Sequence, residues 1–121
     1  MSQFSLSVRQ SPPAQVIDLN GYLDAHTAPK LEGAFQELIN DKLYNIIVNF
    51  RDLVYISSAG LGVFMAFIED VRNNKGDIKL VGMSPKVYNV FDLLGFPMLY
   101  EIYEDEQQAR QKFIDSPSSI G

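Results

Sequence analysis

The stretch Asn45–Phe64, "NIIVNFRDLVYISSAGLGVF", contains the junction from which the fold can be read. With Tyr44 before it, the opening "NIIVNF", Asn45–Phe50, is an apolar run of strand length, rich in β-branched residues, which predicts a strand buried on both faces. The second half opens a new period. Leu61, Phe64, Met65, Ile68 and Val71 step by three and four residues, as one face of a helix does. Between the halves stand adjacent serines, Ser57 and Ser58, followed by Ala59, Gly60, Leu61 and Gly62. The first amides of a helix have no intrahelical acceptor. A serine there is first of all an N-cap, but the same amides and the positive helix end also tolerate a phosphate. Gly60 and Gly62 are expected to keep side chains off this corner, so that a partner's backbone or a nucleotide can approach closely.

The change of period recurs on either side. Upstream, Phe4, Leu6 and Val8 alternate with polar neighbours, Ser11–Pro13 breaks the run, and Val16, Ile17 and Leu19 form a second strand before Asn20-Gly21, read as a turn. These two strands are expected to pair as a hairpin. Ala28, Leu31, Ala34, Phe35, Leu38 and Ile39 then mark a helix, with Thr27 as its N-cap and Pro29 in its first turn. Downstream, "NNKGD" ends the central helix and "IKLVG" is another buried strand. Ser84-Pro85 opens a short helix carrying Val87, Val90, Phe91 and Leu94, closed by Gly95. "MLYEIY" is expected as a last short strand. "EDEQQARQKFI" is expected as a helix with acids first and Arg110 and Lys112 late, the polarity its dipole favours. The order predicts one α/β domain over residues 1–115, with a mixed, mainly parallel sheet opened by a hairpin and about four helices packed on it. Residues 116–121 are expected to be a flexible tail.

Composition narrows the function. A chain of 121 residues suggests one domain with a core that needs neither metal nor disulfide. It has no cysteine, which removes disulfides, thiolate metal sites and thiol nucleophiles and fits a reducing compartment. No segment reads as a signal peptide, and the apolar runs fall far short of the ~20 residues needed to span a bilayer. A cytoplasmic protein without membrane insertion is expected. Fifteen acidic against ten basic residues give a net charge of −5. No basic run is present to displace counterions from nucleic acid, so direct binding to it is not expected. An acidic surface suits partners with positive patches. A serine hydrolase would need His26, the sole histidine, as its base, and there is no Gly-x-Ser-x-Gly elbow. No P-loop lysine motif is present either. Neither enzymatic activity nor a cofactor of the chain's own is expected.

Three segments together carry a family resemblance. "LNGYLDAHTAPKLEGAF", "NIIVNFRDLVYISSAGLGVF" and "VFDLLGFPMLYEIYEDEQQAR" resemble, in order and spacing, the anti-sigma factor antagonists, small free-standing STAS domains of bacterial partner-switching systems. The resemblance spans nearly the whole chain. Its register places the family's phosphorylated serine on Ser58. Ser57 stands where aspartate is frequent, which makes it the rival acceptor, and Ala59 where a second hydroxyl is frequent. Asp24 matches the aspartate of the first motif. The resemblance implies that it lies beside the serines and helps form the surface a kinase recognises; the plainer alternative is that it supports the first helix. Ser57, Ser58, Ala59, Gly60, Leu61 and Gly62 would complete that surface. The implied partners are an anti-sigma factor that is also a serine kinase, which would itself bind ATP and magnesium, and a PP2C-type phosphatase. A non-switching STAS subunit of a transporter, a lipid-trafficking complex or a stressosome-like assembly is the alternative. Oligomeric state is left open.

Overall fold

Two prolines set the first turn. Proline has no amide hydrogen and a fixed φ, so it interrupts a strand ladder readily. The cis Pro12-Pro13 pair separates β1 (Phe4–Ser11) from β2 (Ala14–Leu23), which pair antiparallel from Phe4 opposite Gly21 to Ser11 opposite Ala14. The computed structural model describes residues 3–115, so the expected tail 116–121 lies outside the described residues. After β2 come α1 (Ala28–Asn40), β3 (Asn45–Ile56), α2 (Ser58–Asn73), β4 (Asp77–Val81), α3 (Pro85–Leu93), a single 3-10 turn (Phe96–Met98), β5 (Ile102–Tyr103) and α4 (Glu106–Asp115). The sheet order is β1-β2-β3-β4-β5, antiparallel at the hairpin and parallel elsewhere, as expected.

Three local expectations are corrected. Asn20-Gly21 is not a turn: β2 runs on to Leu23, and Gly21 bends it at φ +95°. A Cβ at Gly21 would lie 2.2 Å from the Gln3 carbonyl oxygen, so only glycine fits the close approach of β1. "MLYEIY" is not one strand. Met98 belongs to the 3-10 turn, and only Ile102 and Tyr103 pair with Leu80 and Val81. Finally, β3 does not stop at Phe50. It continues to Ile56 through two register shifts opposite Asp18–Asn20 and Gly21–Tyr22, which turn Phe50, Leu53 and Ile56 inward at every third residue. That spacing breaks the alternation by which strands are recognised.

The main core lies between one sheet face and α1, α2 and α3. Phe35, Phe50, Phe64 and Phe91 are fully buried. Their rings, with Phe96 and Tyr100, stack or meet edge-on at centroid distances of 5.1–6.4 Å, arrangements that aromatic quadrupoles favour. The Tyr100 hydroxyl donates to the Phe64 carbonyl at 2.7 Å, and burial pushes its pKa up. On the opposite face α4 lays Ala109 and Phe113 over Ala14, Val16, Ile47 and Val81.

Arg9 ties this back layer together, bonding Asp18 on β2 at 2.6 Å and Glu106 at the start of α4 at 2.5 Å. The bond to Arg9 holds both carboxyls below their usual range. Carboxylates so depressed contribute stability above the ordinary carboxylate pKa, and the contribution is lost as pH falls through the lower folded value. Arg9→Ala is expected to cost about 1 kcal/mol at neutral pH, because the network is half exposed. The difference from wild type in urea midpoint should shrink below about pH 4; an undiminished difference at pH 3 would contradict the pairing.

Candidate functional site

The serine corner forms where β3 hands over to α2. Ser57 is the N-cap, in extended conformation (φ −99°, ψ 174°), and its Oγ accepts from the Gly60 amide at 3.4 Å. The Leu61 amide bonds the Ser57 carbonyl at 3.0 Å. The amides of Ser58 and Ala59 are therefore the two that the helix geometry leaves unpartnered. The serines thus divide the work. Ser57 is half-buried and engaged, whereas Ser58 is exposed and its hydroxyl makes no hydrogen bond among the described residues. Since the cap bond is long, Ser57→Ala is expected to cost only about 0.5–1 kcal/mol, read as a small fall in urea midpoint.

Asp24 reaches this corner through the backbone. Leu23 and Ile56 end the paired portions of β2 and β3, and the Ser57 amide donates to the Leu23 carbonyl at 2.9 Å, so the Asp24 loop abuts the serines. The Asp24 Oδ1 accepts from the amides of His26 (2.9 Å) and Thr27 (3.2 Å), which folds the loop on itself. Thr27 occupies the N-cap position of α1 without the expected capping bond. Its Oγ1 instead donates to the Tyr22 carbonyl and accepts from the Asp24 amide, both at 2.8 Å. Asp24 thus organises the approach to α1, as its plainer reading expects, in a loop whose start is bonded to the serine corner. His26 is exposed, and no hydrogen bond among the described residues joins its ring to either serine.

The two glycines differ, which corrects their joint reading as an open corner. Gly62 faces solvent with nothing within 4 Å of where a Cβ would be. Gly60 faces inward, where a Cβ would meet Leu23 Cγ at 2.8 Å and Ile56 Cγ1 at 2.9 Å. It lets the helix start lie against the strand ends. Leu61 is likewise buried, so the side-chain faces of Gly60 and Leu61 belong to the core rather than to a partner. The outward residues of the helix start are Ser58, Ala59 and Gly62, with Met65 one turn on, about half exposed.

Sequence reasoning did not single out Tyr22 and Tyr55. They pair across β2 and β3, one register step from the corner, with centroids 6.2 Å apart, and both remain exposed. Exposed aromatics of this kind are enriched at interfaces. A signal existed: both tyrosines directly precede an inward residue, Leu23 and Ile56, at a strand end. The bulges of β3 hid it.

A five-stranded mixed sheet opened by a hairpin, with an exposed serine at the first position of its central helix, defines the class. The chain belongs to the STAS domain family, whose model matches residues 5–109. It is similar to the anti-sigma-B factor antagonist of Staphylococcus aureus (strain NCTC 8325 / PS 47), with 27% identity over 88 residues, or 73% of this chain and 82% of that protein. Its fold matches an anti-sigma factor antagonist from Mycobacterium paratuberculosis at a TM-score of 0.83 and 21% identity, covering 91% of this chain and 93% of the other. It also matches the Bacillus cell fate determinant SpoIIAA in its phosphorylated form, at 0.71 and 23%, covering 89% and 98%.

Proposed function

We propose that this protein is an anti-sigma factor antagonist whose binding is switched at Ser58. Unmodified, it binds an anti-sigma factor that is also a serine kinase, and this frees the sigma factor. The kinase, using its own ATP and magnesium, then transfers the γ-phosphoryl group to the Ser58 Oγ. The hydroxyl proton is lost, ADP leaves and the complex separates. A PP2C-type phosphatase hydrolyses the ester and restores the binding form.

The observation that carries this reading is the exposed, unbonded hydroxyl of Ser58 at the first turn of α2, beside a neighbour whose own hydroxyl is occupied as the cap. A phosphate there adds about −1.5 to −2 charges. The amides of Ser58 and Ala59 and the positive end of α2 make that addition compatible with the fold. The name of the S. aureus relative and the phosphorylated form of SpoIIAA support the reading.

The test is incubation with candidate anti-sigma kinases and ATP–magnesium, followed by peptide mapping. One phosphate is expected on Ser58, abolished by Ser58→Ala, retained in Ser57→Ala and removed by a PP2C-type phosphatase. Phosphate on Ser57 would overturn the assignment. No phosphate with any kinase that binds the protein would favour a non-switching STAS subunit.

A further inference from the structure

At the end of the sheet away from the serines, a cavity of about 350 Å³ opens at the starts of β3 and β4. The chain has only ten basic residues, yet four of them line this cavity: Arg72 from the last turn of α2, Lys75 from the turn after it, Lys79 from β4 and Lys112 from α4. No basic run is visible in the sequence because the four come from three helix or strand elements and one turn. Tertiary structure assembles the cluster.

Two of these cations are held rigidly. Asp77 takes Arg72 Nε at 2.9 Å and Lys79 Nζ at 3.1 Å, and Glu101 takes Lys79 Nζ at 2.8 Å. Arg72 also donates through Nη2 to the Leu99 carbonyl at 2.5 Å. The Lys79 side chain is only 8% exposed and lies 4.7 Å from the Phe113 ring centroid. The side chains of Lys75 and Lys112 are exposed and make no hydrogen bond or ion pair among the described residues. Four cations thus face two carboxylates, an excess of two positive charges on a protein of net −5. The helix dipole accounts for Arg72 and Lys75, which lie at the negative end of α2. The negative end of α4 likewise accounts for Lys112, in its last turn, and leaves Lys79 as the cation that no helix end explains.

We infer that this cavity is a binding site for a small soluble phosphate-bearing anion. Asp77 and Glu101 offset the charges of Arg72 and Lys79, so the positive field at the cavity comes from Lys75 and Lys112, acting partly through protein rather than bulk water. The exposed pair can close on the ligand from α4 and from the turn after α2. The volume lies at the low end for ligand sites, which suits a pyrophosphate-sized group rather than a large cofactor.

The test is an amide NMR titration of the full chain with pyrophosphate, and separately with inorganic phosphate, at low ionic strength. Saturable shifts are expected at Lys75, Gly76, Lys112 and Phe113, with half-saturation by pyrophosphate below about 1 mM. Lys75→Gln/Lys112→Gln should weaken binding by about tenfold. Lys30→Gln/Lys86→Gln, on residues outside the cavity, should leave binding unchanged. Failure to saturate by about 10 mM, or equal weakening in the two double variants, would reduce the cluster to general charge screening and overturn the inference.

Discussion

Protein carrying a full phosphate on Ser58 is expected to bind its anti-sigma partner at least about 100-fold more weakly than the bare form, with a Tm within a few degrees of it. The two halves of this expectation have separate causes. Within the chain, Ser58 is exposed at the positive end of α2, and its own amide and that of Ala59 are available to the phosphate. A negative group at such a place contributes roughly 0.3–1 kcal/mol in favour of the helix. Across the interface proposed above, the same charge would displace the contacts made to a neutral hydroxyl. An uncompensated charge enclosed there costs several kcal/mol, enough for the loss stated. Ser58→Ala should keep affinity within about threefold of wild type, because a single exposed hydroxyl contributes little. Calorimetric titration of the three forms, with a thermal melt of each, measures both halves. Equal affinity of the phosphorylated and bare forms would rule out release by charge, and a large drop in Tm would move the effect from the interface to the fold.

The second large effect separates two glycines of one helix turn. Gly60→Ala is expected to destabilise the protein by about 1–2 kcal/mol, lowering Tm by roughly 5–10 °C, whereas Gly62→Ala should stabilise it by up to about 1 kcal/mol. At position 60 the new methyl would sit 2.8 Å from Leu23 and 2.9 Å from Ile56. Both neighbours are buried at strand ends and have little room to move. The gain in helix propensity offsets only part of that overlap. At position 62 the methyl points into open space, and only the propensity gain remains. Binding should rank the other way. If the partner covers the exposed face of α2, Gly62→Ala lowers affinity by about tenfold with stability intact. Denaturant melts and partner titrations of the two variants test the contrast; similar stability losses at both positions would contradict the inward orientation of Gly60 and the outward orientation of Gly62.

Much of this architecture was legible in sequence because burial leaves a period. The stripes of α1, α2 and α3, the apolar run at the start of β3 and the cap residue Ser57 each carry a local physical requirement, and the structure meets them except at Met65 and Leu94, which the stripes placed inward and the structure leaves exposed. The serine corner was legible for the same reason, since helix starts need hydroxyls and close strand–helix contact needs glycine.

What failed to show in the sequence depends on contacts between distant segments. The second half of β3 lost its alternation to two bulges that exist only against β2. Gly21 resembled a turn because the sequence does not display the Gln3 carbonyl that a side chain there would strike. Residue types alone allowed either serine to be the cap and either glycine to be open. The positions of Leu23 and Ile56 decided both. The cation cluster around Lys79 was likewise invisible, since its members are up to 40 positions apart along the chain. Sequence by itself determined which segments become strands and helices and in what order, because periodicity and capping act over a few residues. Tertiary structure decided which hydroxyl, glycine and lysine face solvent, because that depends on which atoms from elsewhere in the chain already occupy the space.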